Sequence, residues 1–142
     1  MPKVTYDAAR GLIQEAGSGI QFETTPFSPV QSLTGTQAGA DAAISAPGVY
    51  LFNVNFVHSA SVPLASAFPG GIVTLRAGYA RAYALTGSAE ADGTKVFTDG
   101  TTRGSKLAFA SGVAVGDSVT LISDGKSYCV MARSGSITIS GN

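Results

Sequence analysis

Cysteine is nearly missing from this chain: Cys129 stands alone among 142 residues. No intramolecular disulfide can form, and no cysteine-rich metal site can be assembled. Histidine is equally scarce. Any Ser-His-Asp triad would have to use His58, the one histidine, and no Gly-x-Ser-x-Gly elbow accompanies it. Tryptophan is absent, and only 13% of residues are charged, about half the usual share of roughly 25%. Nine cations balance nine carboxylates and lie scattered. The clustered positive charge that neutralises phosphates is therefore missing, which argues against a nucleic-acid partner. No apolar run approaches the ~20 residues of a membrane helix, so no membrane partner is expected. The opening Met-Pro-Lys-Val-Thr-Tyr-Asp has no apolar stretch of the kind that heads a secretory signal, so folding in a cytoplasm is expected.

What is present is 44% hydrophobic residues and 18 glycines. That much apolar material argues against disorder and for one domain with an ordinary core. With so few charges, Ser, Thr, Gly, Asn and Ala must cover the surface. Such a surface suits a chain largely buried against neighbouring subunits.

The first forty residues differ from the rest. They are polar, rich in Gly and Thr, and carry Pro26 and Pro29. The sequence predicts a short helical turn over Asp7–Glu15 with Asp7 as its N-cap, and a brief strand over Ile20–Glu23. Residues 1–40 are thus expected to form an extended N-terminal arm, and residues 41–142 a β-domain. From Ile44 onward alternation dominates. Val49–Val57 predicts one central strand, with Tyr50, Phe52, Val54 and Phe56 on a shared apolar face. Pro63 marks an edge or an end. Further strands are expected over Ile72–Ala77, Ala80–Thr86, Thr94–Phe97 and Ser105–Ala110. Three more follow between Val113 and Ser140, joined by Asp124-Gly125 and Ser134-Gly135 turns. Short strands every ten residues or so, with Gly-rich turns, indicate an all-β fold, an antiparallel β-sandwich or jelly-roll-like domain. No amphipathic helix stands between strands, so βαβ units are excluded.

Chemistry-bearing residues have simpler explanations. His58 falls at the end of the predicted Val49–Val57 strand, where a surface or interface position is expected. Cys129, alternating within Ser127–Arg133 and sharing a face with Met131, reads as a small buried hydrophobe. Asp92, Asp99, Asp117 and Asp124 sit beside glycines, where Asx-type turns explain them without a paired-carboxylate mechanism. Glu90 and Asp92 lack the ligand density of a calcium loop. No catalytic residue, cofactor-binding residue or metal ligand is assigned, and an enzyme is not expected.

Four segments carry a resemblance: Phe68-Pro-Gly-Gly-Ile-Val-Thr-Leu-Arg76, Ala84–Phe97, Gly104-Ser-Lys-Leu107 and Gly116–Tyr128. With Gly48-Val-Tyr-Leu-Phe52 upstream, they run in the order seen in head-decoration (capsid cement) proteins of tailed bacteriophages, which this chain resembles from about residue 44 to residue 140. The resemblance implies a structural protein, typically a homotrimer, on the outer capsid surface of the virion. Its partners would be the major capsid protein and copies of itself, and its role would be to bridge neighbouring shell subunits. It also implies that an N-terminal segment meets the shell. By their apolar chemistry Val4, Tyr6, Ile20, Phe22 and Phe27 are the expected anchors. The alternative is a trimeric tail-fibre or receptor-binding tip that binds host-surface glycans.

Overall fold

The computed structural model describes residues 4–7, 11–14, 30–34, 41–87, 96–109 and 112–141. At the N-terminus β1 (Val4–Asp7) pairs antiparallel with β2 (Gly11–Gln14) and forms a two-stranded sheet of its own. This replaces the helical turn expected over Asp7–Glu15. Val4-Thr5-Tyr6 and Leu12-Ile13 are β-branched or aromatic-rich, and they sit opposite one another, with Thr5 across from Ile13 and Tyr6 across from Leu12. The expected strand over Ile20–Glu23 lies outside the described residues.

The remaining strands build a sandwich. In chain order they are β3 (Gln31–Leu33), β4 (Asp41–Ala43), β5 (Gly48–Phe52), β6 (His58–Val62), β7 (Ile72–Ala77) and β8 (Tyr83–Gly87). Then follow β9 (Phe97–Thr98), β10 (Arg103–Gly104), β11 (Lys106–Phe109), β12 (Ser118–Ser123), β13 (Tyr128–Ser134) and β14 (Ile137–Ser140). One sheet has the order β10-β9-β13-β12-β7-β5-β3, the other β14-β11-β8-β6-β4. The all-β sandwich expected from the sequence is present. Its sheets are mixed, however, and not wholly antiparallel. From β3 to β8 the chain alternates between sheets, so that β3, β5 and β7 are parallel in one and β4, β6 and β8 are parallel in the other. Crossing to the opposite sheet and back supplies the return that a helix supplies in a βαβ unit. Past β8 most new pairs are antiparallel, and β9 beside β13 is the exception.

This winding splits the strand expected over Val49–Val57. β5 stops at Phe52, where the Gly78 amide donates to the Phe52 carbonyl, and the chain re-enters the second sheet at His58. The sandwich also starts ahead of residue 41. β3 pairs with β5 and buries Leu33, so the proposed arm of residues 1–40 includes one strand of the domain.

Period-2 alternation fills the core. Tyr50 and Phe52 of β5, Val73, Leu75 and Ala77 of β7, and Val119 and Leu121 of β12 face inward from one sheet. Ala60 and Val62 of β6, Tyr83 and Leu85 of β8, and Leu107 and Phe109 of β11 meet them from the other. At the centre Phe52 stacks on Tyr83 with ring centroids 4.5 Å apart, and Phe109 sets its edge against both rings. The Tyr83 hydroxyl donates to the Val54 carbonyl at 2.7 Å, so the ring is buried without an orphaned oxygen.

The two flanks of the sandwich differ. On one, only Ser105 separates β10 in the first sheet from β11 in the second, and the Ser105 amide donates to the Gly141 carbonyl at 3.0 Å. This strand switch joins the sheets at a corner. Gly104 lies against the Ser140 carbonyl there, with no room for a Cβ. On the other flank β3 and β4 end their sheets, and no further strand pairs with either among the described residues.

Candidate interaction surfaces

Alternation that fills the core also fixes what each sheet shows outward. Across β5, β7, β12 and β13 the outward positions hold Val49, Leu51, Ile72, Thr74, Ser118, Thr120, Ile122, Cys129 and Ala132, with Arg76 the one charge. Thr74 and Thr120, paired across strands, bring their hydroxyl oxygens to 3.1 Å. Val49, Ile72 and Met131 stay 38%, 46% and 59% exposed. Across β6, β8, β11 and β14 the outward positions hold Ser59, Ser61, Ala84, Thr86, Ala108, Thr138 and Ser140, with Lys106 the one charge.

This second face carries a cavity of about 380 Å³. Ser59, Ala84 and Ala108, neighbours across three strands, floor it, with Thr86, Lys106 and Val57 around them. Their small side chains leave the hollow. Its polar groups are two hydroxyls and one ammonium, enough to orient a ligand or a partner side chain by hydrogen bonds.

His58, expected at a surface, is only 1% exposed. It opens β6 on the inward-facing register and touches the rings of Phe52 and Phe56 edge-on, at 6.3 and 5.9 Å. Neither ring nitrogen has a hydrogen-bond partner among the described residues. It is thus a core residue behind the cavity. The interruption at Asn53–Val57 resets the alternation and turns His58 inward.

Cys129 is half-buried and outward-facing beside Ile122, not the fully buried hydrophobe expected. Burial, and then the neighbouring Asp124 carboxylate, push its thiol up from the ordinary value, so the thiolate is disfavoured. A bulge between Thr120 and Leu121 inserts Met131, so Ala132 joins the Cys129 face instead of the Tyr128 face.

The aspartates do turn work. Asp99 accepts hydrogen bonds from the Thr101 and Thr102 amides at 3.1 and 2.7 Å. Those amides, Thr102 foremost, hold its carboxyl below the ordinary range. Asp124 accepts from the Ser127 and Lys126 amides at 2.6 and 2.8 Å, and the Ser127 amide does most to hold it below the ordinary range too. Gly125 follows at φ +87°, a left-handed turn position that glycine occupies without strain. Asp117 accepts from the Ala114 amide at 2.9 Å. Asp92 and Glu90 lie outside the described residues.

Of the expected shell anchors, Val4 and Tyr6 fall on one face of the hairpin, with Leu12 opposite Tyr6. Ile20, Phe22 and Phe27 lie outside the described residues. No protein-family model matches this sequence, and no curated protein matches it.

Proposed function

We propose that this chain is a capsid decoration protein that binds the outer surface of a tailed-phage head, works as a homotrimer and bridges neighbouring major capsid subunits without catalysing a reaction. The observation that supports this reading is the chemistry of the two sheet faces. Across its central strands each presents hydroxyls, methyls and a few larger apolar groups around a single cation, with one further charged residue in an edge strand, Arg103 in β10 and Asp41 in β4. Interface cores are depleted in charge in just this way, because an ion costs far more to dehydrate than a hydroxyl or a methyl. Contacts of this kind, weak singly, sum by avidity over a shell that presents the same site many times. In this reading the N-terminal region supplies the shell contact through Val4, Tyr6, Ile20, Phe22 and Phe27, and the sandwich is displayed on the outside of the virion.

The cavity over Ser59, Ala84 and Ala108 favours a second reading, a receptor-binding tip whose hydroxyls and Lys106 hydrogen-bond a host-surface glycan. One experiment separates them. Purified protein is sedimented with expanded shells that lack it, and separately with host cells. Pelleting with shells and not with cells is the expected outcome. Pelleting with cells alone overturns the decoration reading.

A further inference from the structure

The hairpin and the sandwich each leave a need unmet. A two-stranded hairpin is marginal in water by itself, and β1–β2 forms a separate sheet in the single chain. Its register puts Val4, Tyr6, Leu12 and Gln14 on one face, between its two edges. The sandwich, closed at the β10–β11 corner, ends at β3 and β4 on its opposite flank among the described residues.

Hydrogen-bond geometry shows which groups these edges offer. In a parallel pair a residue's amide and carbonyl point to the same side. The Asn53 amide donates to the Leu33 carbonyl at 3.2 Å, so Leu33 turns both groups toward β5 and Ser32 turns both outward. On β4 the Ile44 amide donates to the Ser61 carbonyl at 2.9 Å, which leaves Ala43 as the outward residue. The edges differ in charge. β4 begins with Asp41, and charge on an edge discourages strand addition, whereas Gln31-Ser32-Leu33 carries none.

We infer that the β1–β2 hairpin of one copy adds to the β3 edge of a second copy, extending its seven-stranded sheet and linking the chains. The occupant fits the edge: four-residue strands meet a three-residue strand. Main-chain hydrogen bonds at Ser32 supply the attachment. The reach is sufficient. The chain between Gln14 and Val30 spans up to about 50 Å when extended, against a radius of gyration of about 14 Å for a compact chain of this length. This link specifies the contact between copies and holds in solution without any shell, so its failure is separable from failure of the decoration reading.

The test uses full-length chains and light scattering. The wild-type protein should have a mass that is a multiple of 14.3 kDa. Ile13→Pro removes a β2 amide, needed either for the pairing with β1 or for the outer edge of the hairpin, and Ser32→Pro removes the outward amide while sparing the bonds to β5. Both should fall to 14.3 kDa, and Ala43→Pro should not. Amide exchange gives a readout that does not depend on a proline variant of β3. The Ser32 amide should be protected in the wild type, exposed in Ile13→Pro, and protected again when the Ser32→Pro chain is added as a hairpin donor. A monomeric wild type overturns the inference. So does an assembled Ile13→Pro variant, or a Ser32 amide protected equally with and without an intact hairpin.

Discussion

Replacing His58 by leucine should make this protein more stable, although it removes a buried side chain with two aromatic contacts. Both ring nitrogens are shut off from solvent and unpartnered among the described residues. A buried donor or acceptor left unpaired costs about 1–3 kcal/mol, so the two nitrogens together carry a penalty of ~2–6 kcal/mol on that scale. Against this stand the edge-on contacts with Phe52 and Phe56. Each is worth about 0.5–1.5 kcal/mol beyond its buried area, or ~1–3 kcal/mol for both. The balance favours His58→Leu by about 1–3 kcal/mol. For a chain of this size that is a rise in midpoint of roughly 3–9 °C. Leucine is the right replacement because its volume is close to that of histidine. Phenylalanine keeps the ring contacts but overfills the site, at a cost of about 1–3 kcal/mol. Urea unfolding of wild type and variant measures the difference directly, with an unchanged m-value showing that the same surface is exposed. A fall in midpoint would refute the argument, since it would mean that the imidazole is paired in the native protein.

Acid should weaken the fold through Asp99 and Asp124. Both are held below the ordinary carboxylate range when folded, so the unfolded chain binds protons first as pH falls. Their contribution is complete above the unfolded value of about 3.9 and is lost as pH drops through the folded values. Asparagine keeps the amide-accepting oxygen, so the double variant Asp99→Asn/Asp124→Asn should lose less stability than wild type between pH 5 and pH 2, as thermal melts across that range will show. Gly104→Ala should cost about 1–3 kcal/mol, because its Cβ meets the Ser140 carbonyl at the closed corner; a neutral result in urea would mean that the corner is loose. Removing residues 1–29 should cost only the stability that the link between copies supplies, so its effect on the midpoint should fade on dilution. Removing residues 1–35 also deletes β3 and buried Leu33, at a cost comparable to the ~2–5 kcal/mol of a large-to-small core change.

Much of the domain was legible because its strands obey local rules. Ile72–Ala77 alternates and is bounded by glycines at both ends, and it forms β7 over the expected residues. Ser118–Ser123 and Tyr128–Ser134 flank an Asp-Gly turn that closes as its chemistry dictates, on the Asp124 carboxylate. Local rules failed where the decision was not local. Val49–Val57 alternates without a break in the sequence, and nothing in that run shows that Phe52 must stop at the Gly78 amide. The face of His58 was misjudged as a result. The Asp7–Glu15 segment misled for a different reason: a capping aspartate and a short apolar pattern suit a helical turn, but Val4, Thr5, Tyr6 and Ile13 favour a pleated strand, and the register sets Tyr6 against Leu12 and Thr5 against Ile13. The Thr120/Leu121 bulge likewise left no mark in the sequence, yet it moves Ala132 to the other face.

The alternation of β3 to β8 between sheets has a consequence for assembly that an antiparallel meander would not have. A chain that winds from sheet to sheet adds one strand to each sheet per turn, so its first turn leaves two edges, one per sheet, on the same flank. The later strands close the far flank, where Ser105 carries the chain from one sheet to the other. β3 is the first strand of the sandwich in chain order, so it is the template nearest in sequence to the β1–β2 hairpin. The template is uncharged and three residues long. An edge so short offers few main-chain bonds, which limits indiscriminate pairing between free copies. It becomes an effective link only when the added strand is held nearby. In the proposed pairing the tether to the hairpin meets that condition.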